Sequence, residues 1–217
     1  MRPIGGSRVE TKVYVKIPME RVGVLIGPGG KVKRRIEEAS GVELSIDSET
    51  GNVEIGLRPE TKDPSVILQV QNLVKAIGRG FSPQRAFKLL DEDVYLDIID
   101  LRDYVGRSKN ALARVRGRII GRNGRSRELI EELTDTYISV YGHTVSIIGR
   151  VEDIEVAKEA ILMLVKGRFH KSVFSYLYRE RGRRKRRLEL WEGPSERTRE
   201  MMRGPQLKAV RREVDGG

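Results

Sequence analysis

Apolar side chains recur along this chain in two rhythms, and the rhythms succeed one another in the same order twice. Over residues 11–17, Val13, Val15 and Ile17 alternate with polar neighbours, the period of a strand with one buried face. Pro18 ends it. Met19, Val22, Leu25 and Ile26 then share one helical face over 19–26, glycine interrupts at 27–30, and a second helix follows over 31–40 with Val32, Ile36 and Ala39 inward. Gly41 suits a helix C-cap. Val42, Leu44 and Ile46 alternate as a second strand, residues 47–52 turn, 53–57 make a third strand, and 64–77 form a long amphipathic helix.

The second half returns to that order with a strand over 94–101, a helix over 109–120 and another over 125–133. A hairpin of 137–141 and 144–148 across Gly142-His143 follows, then a closing helix over 151–165. Between the halves, Ser82 and Pro83 supply an N-cap and a first helical residue. Phe87, Leu89 and Leu90 ask for burial, so 81–93 reads as a structured helical linker. Overlaying the chain on itself makes the repeat explicit at an offset of 94. Gly23-Val24-Leu25-Ile26-Gly27-Pro28-Gly29-Gly30-Lys31 falls on Gly117-Arg118-Ile119-Ile120-Gly121-Arg122-Asn123-Gly124-Arg125. Ile36-Glu37-Glu38 falls on Ile130-Glu131-Glu132, and Leu44-Ser45-Ile46 on Ile138-Ser139-Val140. The expected fold class is α+β: two copies of one module, each a three-stranded sheet packed by three helices. The expected divisions are a first domain at 1–80, the linker at 81–93, a second domain at 94–166 and a tail at 167–217.

Charge changes this picture at one end. The 217 residues hold 42 Lys and Arg against 31 Asp and Glu, a net of +11. From Gly167 onward there are 15 cations and 7 acids, net +8, which leaves 27 against 24 for the two modules. The run from Arg179 to Arg187 repels itself, and such blocks commonly form arms for nucleic acid. Trp191 in this tail suggests a segment that folds against a partner, and a flexible solubilising tail is the alternative. The absence of Cys excludes disulfides, thiolate nucleophiles and Cys-ligated metals. His143 and His170 have no second ligand at metal spacing, and no Ser–His–Asp or carboxylate–metal set appears. No metal, cofactor or catalytic activity is therefore expected. The longest apolar runs, 22–26 and 160–165, are far short of the roughly 20 residues that span a bilayer. The first residues lack the apolar stretch of a signal peptide. A soluble cytoplasmic protein with a polyanionic partner is the expectation.

The glycine loops give that partner a chemistry. Glycine at the first and fourth positions lets the chain turn sharply, and the following helix points its free N–H groups and positive end at the opening. Lys31, Lys33, Arg34 and Arg35 follow in the first copy, and Arg122, Arg125 and Arg127 stand in the second. Phosphate is what such a loop favours. A mononucleotide P-loop would need Gly at Leu25 and Ser or Thr at Val32, so that motif is excluded. Beside each loop, apolar side chains are expected to floor a groove. They are Val22, Leu25 and Ile26 with Leu44 and Ile46, and Arg118, Ile119 and Ile120 with Ile138 and Val140.

The Ile-Gly-x-x-Gly loops at Gly27, Pro28, Gly29, Gly30 and at Gly121, Arg122, Asn123, Gly124, within that element order, resemble the type I KH domain. The resemblance covers residues 11–77 and 94–165 and implies a loop that clamps the backbone of about four nucleotides of single-stranded RNA. In one respect the chain departs from the family. An apolar residue usually stands six positions after the first glycine, where this chain has Lys33 and Arg127. The core contact is then expected from Val32 and Ile36, and from Leu129 and Ile130. The tandem arrangement, the stretch 131–142, Ser146-Ile147-Ile148-Gly149 and the basic tail are similar to the archaeal branch of the pre-ribosomal KH family known as the partner of Nob. That resemblance implies maturation of the 3′ end of small-subunit ribosomal RNA beside the Nob endonuclease, and a link to the α subunit of translation initiation factor two.

Arg122 between its glycines makes the second loop the expected stronger clamp. Tyr137 and Tyr141 are candidates for stacking on bases, with packing or interface favoured for Tyr141. His143 reads as an exposed turn residue, and the Glu37-Glu38 and Glu131-Glu132 pairs as surface ion pairing. Two other readings stand beside ribosome assembly: RNA decay or translation control by the same modules, and an enzyme acting on a nucleotide.

Overall fold

A computed structural model of the chain describes residues 12–61 and 63–192, with side chains as far as Arg187. Thr11, the expected start of the first strand, lies outside the described residues, as do the tail beyond 192 and the side chain of Trp191. The first module runs β1 (Lys12–Lys16), α1 (Met19–Ile26), α2 (Lys31–Ser40), β2 (Val42–Ile46), β3 (Asn52–Leu57) and α3 (Val66–Gly78). A linker helix, α4 (Pro83–Ala86), is capped by Ser82 Oγ, which accepts the Arg85 N–H at 3.5 Å. The second module runs β4 (Tyr95–Asp100), α5 (Arg102–Val105), α6 (Lys109–Ile120), α7 (Arg125–Thr134), β5 (Tyr137–Tyr141), β6 (Thr144–Gly149) and α8 (Val151–Val165), and α9 (His170–Glu192) follows. Both sheets are antiparallel, in the orders β1-β3-β2 and β4-β6-β5. The fold is α+β, as expected.

Each sheet packs one face on its own helices. Val15, Leu44, Val53 and Ile55 join Leu25, Ile36, Leu73 and Ile77 in the first core, and Ile99, Ile138, Val145 and Ile147 join Ile119, Ile130 and Ile161 in the second. Val32 and Leu129 pack against these cores, so the helices after the loops are anchored without the apolar residue at 33 or 127. The sheets differ in what covers the other face. Every residue of β6 is buried. Leu96, Tyr137 and Ile148 point away from the second core and pack into the first, against the side of α3 and the linker. Burying a side chain such as Ile148 contributes about 1.5–3 kcal/mol. At this junction Gly80 has a φ of +95°, and a Cβ there would lie 2.8 Å from Ser139 Oγ. The Ser139 hydroxyl donates to the Arg79 carbonyl at 2.8 Å, and the Tyr141 hydroxyl donates to Glu20. Tyr141 is thus an interface residue.

The chain divides into two compact units at Leu177/Tyr178, with both modules in the first. The expected polar arm from Gly167 therefore needs correction. Val173 and Leu177, four residues apart on α9, are fully buried in the second core, with Phe174 and Tyr176 beside them. A charge run following these residues hid a short amphipathic stretch. In the second unit the helix continues to Glu192, and Arg183 pairs with Glu180 at 2.8 Å. Among the described residues no helix is long and apolar enough to cross a membrane.

Candidate nucleic-acid interface

Both glycine loops adopt one conformation. Gly27 and Gly121 have φ of +71° and +74°, and a Cβ on either would lie 2.4 Å from Val32 Cγ2 or 2.5 Å from Ser126 Cβ. The first glycine is therefore required by the close approach of the next helix as much as by the turn. One 3₁₀ turn follows, Pro28–Gly30 or Arg122–Gly124, with Gly29 and Asn123 in left-handed conformations. Asn is among the few residues that tolerate this. No side chain caps α2 or α7, and the Lys31 and Arg125 N–H groups donate within the turn to the carbonyls of Pro28 and Arg122. Pro28, Gly29, Arg122 and Asn123 are exposed, as are Lys31 and Arg125.

The charge around the loops differs between copies. Arg34 folds back, its Nη2 donating to the Gly29 carbonyl at 2.8 Å. At the matching place in the second copy stands Glu128, 3.6 Å from Arg127. Residues 28–35 carry four cations and no acid, whereas 122–129 carry three cations and one acid, net +4 against +2. Glu128 thus offsets the charge that Arg122 adds to the second loop.

Of the expected groove floor, only part reaches the surface. Val22, Leu25, Leu44, Ile119 and Ile138 lie within the two cores, because the helical and strand periods that flagged them mark burial. Ile26, Ile46 and Val140 are half-buried and Ile120 is 36% exposed, leaving these four as accessible apolar side chains. Arg118 does not belong to the floor. Its Nε donates to the Leu164 carbonyl at 3.2 Å and its Nη2 to the Arg168 carbonyl at 2.6 Å, clamping the end of α8. Arg21 does the same for α3, donating to the carbonyls of Ile77 at 2.8 Å and Phe81 at 2.6 Å. In both cases the carbonyls are four residues apart.

Lys33 and Arg127 have acidic partners one turn on. Lys33 Nζ lies 3.8 Å from Glu37, and Arg127 Nε 4.0 Å from Glu131. Glu37 and Glu131 are not surface residues: each accepts a strand N–H, from Leu44 at 2.9 Å or Ile138 at 2.6 Å, latching α2 to β2 and α7 to β5. Surface ion pairing thus describes only part of their role. His143 is half-buried and 3.7 Å from Asp100. Arg102, hydrogen-bonded to Asp100, is the main cause of that carboxyl's pKa falling to about 2. Arg116 Nη1 donates to the Gly142 carbonyl at 3.0 Å, tying the second hairpin turn to α6. Arg35 lies over Phe87 and Arg85 over Tyr137, 4.6 and 5.1 Å from the ring centroids. Among the described residues no group of His, Asp and Glu is placed to hold a metal.

Two further residues border the loops. Gly23 and Gly117 sit inside α1 and α6, exposed, with no atom within 4 Å of a would-be Cβ. A helix-interior glycine costs about 1 kcal/mol relative to Ala, and neither position needs it for packing. Each leaves bare backbone three residues before Ile26 or Ile120. Their identity in the overlay was the available signal.

Comparison with known proteins matches a KH-domain profile over residues 12–68, and over 95–182 a profile for the second KH domain of PNO1, described as a eukaryotic-type (type I) KH domain. A KH domain-containing protein of Methanocaldococcus jannaschii is 46% identical over 183 residues, covering 84% of this chain and 80% of that one. A pre-rRNA-processing protein pno1 of Aspergillus fumigatus is 31% identical over 83% of this chain and 72% of its own. The crystal structure of Dim2p from Pyrococcus horikoshii superposes with a TM-score of 0.74 at 51% identity, covering 78% of this chain and 99% of that one. An a/eIF2alpha–aDim2p–rRNA complex from the same organism gives 0.77 at 49% identity, covering 81% and 97%.

Proposed function

The chain belongs to the PNO1/Dim2p family of tandem KH-domain RNA-binding proteins, and from that premise we propose that it is a non-catalytic ribosome-assembly factor. It binds single-stranded RNA, at the 3′ end of small-subunit ribosomal RNA, through both modules. The observation that carries this reading is the same open glycine loop, built twice in one compact body with cations around each. Phosphates sit at Gly27–Gly30 and Gly121–Gly124, held with Lys31, Lys33 and Arg34, or with Arg122, Arg125 and Arg127. Bases lie against Ile26 and Ile46, or Ile120 and Val140, where Gly23 and Gly117 leave room. The names of the pre-rRNA-processing relatives and the rRNA in the Pyrococcus complex support ribosomal RNA as the target. The Nob endonuclease and the α subunit of translation initiation factor two are its protein partners in this reading. The a/eIF2alpha in the same Pyrococcus complex favours, as a second reading, a role in translation control.

Sequencing RNA crosslinked to the protein in cells tests the assignment. Reads are expected to accumulate at the 3′ end of the small-subunit RNA, and enrichment of messenger RNA would replace the first reading with the second. Nucleotide hydrolysis with and without RNA should stay at background.

A further inference from the structure

Glu37 and Glu131 hold the same place in the two modules, yet their partners differ. Glu37 Oε1 accepts the Leu44 N–H and lies 3.8 Å from Lys33. Glu131 Oε1 accepts the Ile138 N–H and, in addition, an Nη1 N–H from Arg85 of the linker helix at 3.0 Å. Arg85 is itself held by the ring of Tyr137. The Glu131 side chain is only 11% exposed, and a carboxylate so placed draws a cation strongly. Arg85 supplies that cation from the linker.

Arg127 is held only by two long ion pairs. It stays 4.0 Å from Glu131 and 3.6 Å from Glu128, and its buried Nε has no hydrogen-bond partner. Its Nη2 lies 3.9 Å from where a Cβ of Gly124 would stand, beside the second loop. The side chain is 31% exposed. A guanidinium so loosely paired, with Nη2 beside the loop, has the fork geometry to engage a phosphate.

We propose that Arg85 is a positioning residue for the second RNA-binding loop: by occupying Glu131 it prevents Arg127 from collapsing onto that carboxylate and keeps the guanidinium available to an RNA phosphate. The inference rests on the reading of Gly121–Gly124 as a phosphate clamp.

The full chain and a labelled single-stranded RNA carrying the small-subunit 3′ end provide the test. In Arg85→Gln, Arg127 closes on Glu131, so affinity should fall about tenfold, the worth of one charge-assisted contact. The log–log salt slope should shrink by about 0.7, one single-strand phosphate. Arg127→Ala should do the same, and the double variant should lose no more than Arg127→Ala alone. Adding Glu131→Gln to Arg85→Gln keeps an acceptor for the Ile138 N–H but removes the competing charge, and should restore affinity and slope. An unchanged slope in folded Arg85→Gln, additive losses, or no rescue by Glu131→Gln would each overturn the proposal. A purely structural Arg85 would lower the melting temperature and leave the slope of the folded protein alone. Arg122→Asp/Asn123→Asp separates the two levels. If it too leaves binding intact, the clamp reading has failed. If it abolishes binding while Arg85→Gln binds normally, only the role of Arg85 has.

Discussion

On the outer face of the first sheet stand Tyr14, Glu43, Ser45 and Glu54, and at the matching register of the second stand Leu96, Tyr137, Ser139 and Ile148. The first set meets solvent, with Tyr14 66% exposed and Glu54 paired to Lys12 at 3.0 Å. In the second set Leu96, Tyr137 and Ile148 dock on the first module. The loops, the glutamate latches and the arginine clamps have kept one geometry in both copies. Sites that serve the module's own fold and its ligand are held in each copy, whereas a sheet back is free to become either surface or interface. Only one of the two needed to change for the modules to join.

The largest effect expected from this comparison comes from exchanging residues between the backs. Ile148→Asp places a charge between the modules and should cost upwards of about 3 kcal/mol in denaturant unfolding. Its counterpart Glu54→Ile should stay within about 0.5 kcal/mol, since it alters an exposed ion pair. Equal costs would mean that the second sheet is not docked as described.

The loops should break the comparison in the other direction, because altering either one weakens RNA binding. Asp at both 28 and 29, or at both 122 and 123, should weaken RNA binding by at least about 1–3 kcal/mol in a folded protein. The second pair should lose more, because Arg122 goes with it. Retained affinity with both loops altered together would leave the segment beyond Tyr178 as the RNA-binding element. The clamps sharpen the likeness further. Arg118→Ala should destabilise by roughly 1–3 kcal/mol through two lost bonds to carbonyls, as should Arg21→Ala, with RNA affinity of the folded protein little changed. A selective loss of RNA affinity in Arg118→Ala would return that residue to the groove.

The smallest effect is at the second hairpin. Asp100 has its folded pKa lowered from 3.8 to about 2, so its stabilisation is present above the unfolded value and fades as pH falls from about 4 to about 2. Asp100→Asn should lower the melting temperature slightly at neutral pH, and the difference from the unaltered protein should shrink as pH falls towards 2 and vanish below it. A difference that persisted there would assign the effect to packing.

Much of this was legible in the chain. Met19–Ile26, Lys31–Ser40 and Val151–Val165 were bounded from periodicity and punctuation alone, because Pro18 and glycines 27, 30 and 41 mark the boundaries of the first two. The loops were legible because they occur twice. Periodicity identifies a face that avoids water, and it cannot say whether that face becomes a core or a groove: Leu25 and Ile138 have the pattern of a floor and lie in the cores. Arg118 looked like a groove cation because its partners, the carbonyls of Leu164 and Arg168, lie 46 and 50 residues away. The alternation in β6 was masked for a related reason. With both faces buried, Val145, Ile147 and Ile148 read as a run, and the sequence holds no mark for which neighbour covers the second face.

The junction at Gly80, Ser139 and Tyr141 makes the separation of the two loops a property of the folded body and not of a flexible tether. For a strand long enough to reach both, the second contact is made at a high effective concentration without ordering a linker first. A strand too short to reach gains nothing from the second loop, however well its bases suit it. Under the proposed function, joining the modules this way would turn two short-reading sites into a device that measures RNA length between two points.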